Sequence, residues 1–158
     1  VREHTDLREP LIRRLVMSKL SAVGLGGIED RMPHELSGGM ARRVAFARAV
    51  VLDPAIMLYD EPMTGLDPIA VSTIRTLMRE TNDALGLTSL VVTHNVAQMR
   101  QLVDYCFIIS QGRIAGAGHP DELGASTDPA VDQFMNGKVE GPIPFHYQPS
   151  GAAWGLLD

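Results

Sequence analysis

Apolar residues in the first third of the chain recur at close to helical spacing. Leu11, Leu15, Leu20 and Val23, with Ile12 and Val16 beside them, predict a helix, and Pro10 suits its first turn. Gly24 to Gly27 end it. A second stripe, Met40, Val44, Ala47 and Val51, predicts a helix that begins on the pair Gly38-Gly39. It stops at Asp53-Pro54, because the residue before a proline is pushed out of helical geometry. Ala55 to Tyr59 is apolar without alternation, which predicts a strand covered on both faces, and it runs straight into Asp60-Glu61-Pro62. Asp67-Pro68 has the chemistry of an N-cap and first helical position for a third helix with the stripe Ala70, Ile74, Leu77, Met78 and Leu85, closed by Gly86. Ser89 to Thr93 repeats the buried-strand pattern and delivers His94. Asn95 can cap a helix carrying Val96, Met99 and Val103. Tyr105–Ser110 and Arg113–Ala115, joined by Gln111-Gly112, predict an antiparallel hairpin.

This succession predicts an α/β fold with a mostly parallel central sheet, an antiparallel edge and flanking helices. No internal repeat or low-complexity segment interrupts it. The composition agrees: 158 residues, 45% hydrophobic and 21% charged, suffice for a packed core. A net charge of -5 supplies no basic face for nucleic acid. The single cysteine, Cys106, lies in an apolar run and reads as a small buried thiol, so neither a disulfide framework nor a cysteine metal site is available within one chain. No apolar stretch approaches the ~18 residues of a membrane span, so any membrane role is expected to pass through a partner. The charged opening, Val1 to Arg14, has the character of mid-domain sequence and reads as the continuation of a longer subunit whose N-terminal part precedes it.

Ligands of open α/β sheets bind beyond the carboxyl ends of the strands, which is where Asp60 and Glu61 fall. Adjacent strand residues point to opposite sides, so two different tasks suit this pair better than one shared dyad. An acid ending a buried strand can hold Mg²⁺ while its neighbour activates water; two solvated acids fit the same dipeptide. His94 ends the next strand, where an imidazole can meet a phosphate oxygen or a water, or simply cap the surface. Asp67 is by itself a helix N-cap. Ser37, Gly38 and Gly39 open a helix with free amides, a hydroxyl and the positive end of the dipole, a combination that receives phosphate and also permits a tight turn.

Taken in order, Leu36-Ser37-Gly38-Gly39-Met40, Ile56-Met57-Leu58-Tyr59-Asp60-Glu61, Gly65-Leu66-Asp67 and Thr93-His94 resemble the signature motif, Walker B, D-loop and switch histidine of ABC transporter ATPases. The resemblance implies a partial P-loop NTPase domain that uses ATP and Mg²⁺. Its parts would be a helical subdomain in residues 1–36, the signature helix and ATPase core in 37–139, and an extended C-terminal tail in 140–158. It implies that Asp60 places Mg²⁺, Glu61 is the general base, His94 contacts the γ-phosphate and Asp67 couples two sites. Ser37, Gly38, Gly39 and Met40 would bind the ATP held by a second copy of the subunit.

Met40 stands where the family usually has glutamine, and no G-x-x-x-x-G-K-[ST] loop occurs in these residues, Gly137-Lys138-Val139 included. The piece by itself is therefore expected to be inactive. "REHTDL", "ELSGGMARR", "DEPMTGLDP" and the tail "GPIPFHY" are similar to the ATPases of Mla-type phospholipid transporters, which maintain outer-membrane lipid asymmetry. That branch implies a transmembrane permease partner, a peripheral place on the cytoplasmic face of the bacterial inner membrane, and no nucleic-acid ligand. Two alternatives remain in view: the ATPase head of a chromosome-maintenance or DNA-repair protein, against which the absence of coiled-coil heptads speaks, and a non-catalytic interaction module. Pro142 and Pro144 favour an extended tail presenting Ile143, Phe145 and Tyr147, with Trp154 beyond, either folded back on its own domain or docked on a second copy.

Overall fold

Most helices begin where a side chain or a proline serves the first turn. In the computed structural model, which describes residues 1–143, the elements run α1 Glu9–Ala22, a 3₁₀ turn Pro33–Glu35, α2 Gly38–Ala49, β1 Ile56–Asp60, α3 Pro68–Leu85 and β2 Thr88–Val92. There follow α4 Val96–Arg100, β3 Cys106–Ser110, β4 Arg113–Gly118, α5 Pro120–Gly124 and α6 Pro129–Asn136. The chain divides into two compact units at His94/Asn95.

In the first unit β1 and β2 pair in parallel, Ile56 opposite Thr88 through Asp60 opposite Val92, so both strands end at one edge. The crossover between them is α3. Asp67 caps it by accepting the amides of Ile69 (2.9 Å) and Ala70 (3.0 Å), Pro68 starts it, and Gly86 in the left-handed region (φ 61°) stops it. One face of β1 is buried through Met57 and Tyr59, and the Tyr59 ring stacks on Phe46 of α2 with centroids 6.1 Å apart. Such a pair contributes about 0.5–1.5 kcal/mol beyond its buried area.

The other face departs from the expectation of strands covered on both sides: Ile56, Leu58, Leu90 and Val92 are each more than half exposed. An unbroken apolar run reports that both faces are apolar. Whether a helix covers each face is a property of the surrounding chain, and among the described residues only one is covered. The helical stripes also rotate. Ile12 rather than Leu11 is buried on α1, and on α2 the buried face is Phe46 and Ala47, continued by Val50 just beyond its end. Two polar ties fasten α1 to the α2 region: Arg43 Nη1 donates to Val23 O (3.2 Å), and Lys19 Nζ meets Asp53 Oδ1 (2.5 Å).

In the second unit β3 and β4 form an antiparallel ladder of their own, with a bulge at Ile108/Ile109 and the two-residue turn Gln111-Gly112. The sequence predicts this hairpin as the edge of the parallel sheet. Its inward side chains are instead used on α5 and α6: Ile108, Leu123, Val131 and Met135 make one core, with Val96, Met99, Cys106 and Ala115 packed against it. Those two helices are absent from the sequence expectation, although His119-Pro120 and Asp128-Pro129 carry the same start chemistry as Asp67-Pro68. Cys106 is half-buried, and desolvation pushes its thiol pKa up, as befits an inert packing thiol. No helix among the described residues is long and apolar enough to cross a membrane.

Candidate functional site

The parallel register brings the ends of β1 and β2 together, and the chain turns sharply there. Glu61 takes a positive φ of 44°, unusual for a residue with a side chain, while its amide still donates to Val92 O (2.9 Å). That backbone turn swings the Glu61 carboxylate away from the strand and onto the end of β2. Its Oε1 accepts the His94 backbone amide (2.9 Å) and faces His94 Nδ1 at 2.7 Å. Its Oε2 accepts the Thr64 hydroxyl (2.8 Å) and the Thr93 hydroxyl (3.3 Å).

Four donors on two oxygens favour the ionised carboxylate. The His94 ring, then the Thr64 hydroxyl, hold the Glu61 carboxyl below the usual carboxylate range. With Glu61 ionised, Nδ1 donates the proton of the 2.7 Å contact, and Nε2 of the exposed imidazole lies outside that bond. Strain in a single non-glycine residue next to a charge network is characteristic of sites where geometry is held for chemistry.

Asp60 is different. Met57 and Tyr59 face the covered side of β1, so Asp60 shares the open side with Ile56 and Leu58, opposite Val92. The two adjacent acids therefore occupy separate environments. No group of three metal-binding side chains occurs among the described residues. Asp60 suits a cation that takes one protein carboxylate and completes its shell with phosphate and water oxygens, as Mg²⁺ does.

The second cluster lies at the start of α2. Ser37 caps the helix by accepting the Met40 amide on Oγ at 3.3 Å, a long bond. Ser37, Gly38, Gly39 and Met40 line a groove of about 670 Å³ together with Asp67, Ala70, Arg43 and Thr73. A Cβ on Gly38 would meet nothing within 4 Å, and one on Gly39 would touch only the Ala70 methyl at 3.6 Å. Neither glycine is required by packing. Both leave the first-turn amides open to a ligand that approaches the backbone, and the residues present fit a phosphate there.

The structure thus makes two assemblies in one unit. Glu61 and His94 are in contact; Ser37, Gly38, Gly39, Met40 and Asp67 share a groove, in which Asp67 Oδ1 is occupied as the α3 cap. Thr64, Thr93 and Arg43 are participants that the sequence reading left out. Thr64 stands three residues after Glu61 and Thr93 directly before His94, so proximity to the motifs was the available signal.

Comparison with known proteins follows the same pattern of motifs. Residues 3–64 match the ABC transporter family. The chain is 48% identical over 147 residues to the intermembrane phospholipid transport system ATP-binding protein MlaF of Haemophilus influenzae, covering 93% of this chain and 56% of that protein. MlaF of Escherichia coli K12 is 46% identical over 151 residues, 96% of this chain and 56% of the relative. Among solved structures, cbiO1 from Clostridium perfringens, described as part of the ABC transporter complex cbiONQ, superposes with a TM-score of 0.71 at 32% identity, over 84% of this chain and 53% of that one. The chain therefore spans about half the length of the relatives it matches. By its ordered motifs, its parallel αβ core and these relatives, the chain is homologous to ABC transporter ATP-binding proteins over about half of their length.

Proposed function

We propose that this chain is the signature-bearing and water-activating portion of an ATPase subunit that powers phospholipid transport through a membrane partner. The observation that carries the reading is the Glu61–His94 contact at the shared edge of β1 and β2, in the same unit as a glycine-opened helix whose amides face a groove. Support for the lipid comes from the names of the MlaF relatives.

Glu61 would act as the general base. It enters the reaction ionised, because His94 and Thr64 stabilise the charged form. To take a proton from water it must release one of its four donors, and the 3.3 Å Thr93 hydroxyl is the longest of them. His94 holds the carboxylate through both its amide and its ring, and its exposed Nε2 would face the phosphate or the attacking water. Asp60 would hold Mg²⁺. When bound, ATP and Mg²⁺ supply the reactive phosphate and the neutralisation of its charge.

The open amides at Gly38 and Gly39, with Ser37 and Met40 beside them, would grip the γ-phosphate of ATP carried by a second copy, and Asp67 would lie across that junction. A transmembrane permease on the inner membrane would be the other partner, and the chain would reach the cytoplasmic face through it. Without a phosphate loop among its residues, this portion alone would not turn over ATP. The test is reconstitution of the intact subunit with its membrane partner in vesicles, following labelled phospholipid. ATP-dependent transfer is expected; ATP hydrolysis without any transfer would overturn the lipid assignment and leave the ATPase assignment standing.

A further inference from the structure

In the second unit Gln133 is the one buried polar side chain among the described residues, 8% exposed on α6. Burying a carboxamide is unfavourable unless both ends are bonded. Here both ends go to a single residue, ten positions later: the Ile143 amide donates to Gln133 Oε1 (2.7 Å), and Gln133 Nε2 donates to Ile143 O (3.1 Å). A side chain thereby plays the part of a neighbouring backbone, serving both the amide and the carbonyl of Ile143 whatever that residue's side chain.

The path to Ile143 is prepared by three further contacts. Gly137 in the left-handed region (φ 64°) ends α6 and reverses the chain. The Lys138 amide then closes on Gln133 O at 3.0 Å, while Lys138 Nζ pairs with Asp132 at 2.5 Å. Gly141 lies directly on the Gln133 side chain, where an added Cβ would overlap Cδ and Oε1. Ending a helix needs only the glycine and the amide closure. Holding the chain again at Ile143 has no part in helix termination, and it comes where the sequence turns to Pro144, Phe145 and Tyr147.

The geometry points to Gln133 as an anchor that straps residues 138–143 to α6, so that the chain is held to this helix as far as Ile143 and not only at Gly137. The inference concerns this anchor alone and stands or falls separately from the transport reading.

Hydrogen–deuterium exchange of the intact subunit, read on peptides spanning residues 138–147 and on α6, tests it. In the parent protein the Ile143 amide is expected to be protected. Gln133→Leu removes both bonds and should accelerate its exchange about tenfold or more. Gly141→Val changes an exposed residue and pushes the Gln133 carboxamide off Ile143 while leaving the α6 sequence intact; it should do the same with α6 amides unchanged, which keeps the test decisive should Gln133→Leu loosen α6. Exchange of Ile143 at the free-peptide rate in the parent, or protection unchanged in both variants, would overturn the anchor.

Discussion

Glu61 and Ser37 open the two chemical edges of the same unit, yet one edge is complete and the other is not. At Glu61 both carboxylate oxygens are filled by Thr64, Thr93 and the amide and ring of His94. At Ser37 one long cap bond serves Met40, and Gly38 faces open space. The difference teaches that the Glu61 edge is assembled by the fold, through strand register and the positive φ of Glu61. The helix-start edge has only its positive dipole and unserved amides, which a phosphate would complete.

The largest expected effect breaks the complete edge. Glu61→Gln keeps the shape and removes the proposed base, and ATP turnover by the intact subunit should fall about 100-fold or more, measured as released phosphate. Nucleotide binding should survive. At the open edge, Gly38→Val places a branched side chain where nothing now stands, so it should weaken phosphate contact. The expected reading is an increase of about tenfold in the ATP concentration for half-maximal turnover, with thermal unfolding scarcely changed.

Smaller effects sharpen the contrast between caps. Asp67→Ala loses two bonds, at 2.9 and 3.0 Å, and should cost about 1–2 kcal/mol in chemical denaturation; Ser37→Ala loses one at 3.3 Å and should cost about 0.5 kcal/mol. The smallest effect is electrostatic. The folded-state pKa of Glu61 is lowered by His94 and Thr64, so the stability it contributes is fully present above the unfolded-state value, about 4.3, and is lost as pH falls through the lower folded value. An NMR titration of the Glu61 carboxyl should place its midpoint below that of an exposed glutamate, and His94→Ala should return it toward the ordinary range.

Much of this was legible in the residues. Asp67-Pro68 and Gly86 marked both ends of α3, and the parallel pairing of β1 with β2 followed from two similar apolar runs around one crossover helix. The identical signal at Asp128-Pro129, with Gly137 closing the helix, was there to be read for α6. It was missed because the intervening stripe is only eight residues long, too short to stand out as periodic. The exposed side of β1 and β2 was illegible for another reason: apolar content specifies what a face prefers, and coverage depends on other segments. Nor does any local pattern foretell the positive φ of Glu61, because a tertiary contact with β2 imposes it.

The central claim, one edge assembled by the fold and the other awaiting phosphate, is tested most directly by amide exchange at both edges in the intact subunit, with and without a non-hydrolysable ATP analogue and Mg²⁺. The account predicts a His94 amide that is protected in both conditions, and Gly38 and Gly39 amides that gain protection only with nucleotide. A freely exchanging His94 amide in the absence of nucleotide, or Gly38 and Gly39 amides indifferent to it, would contradict the account.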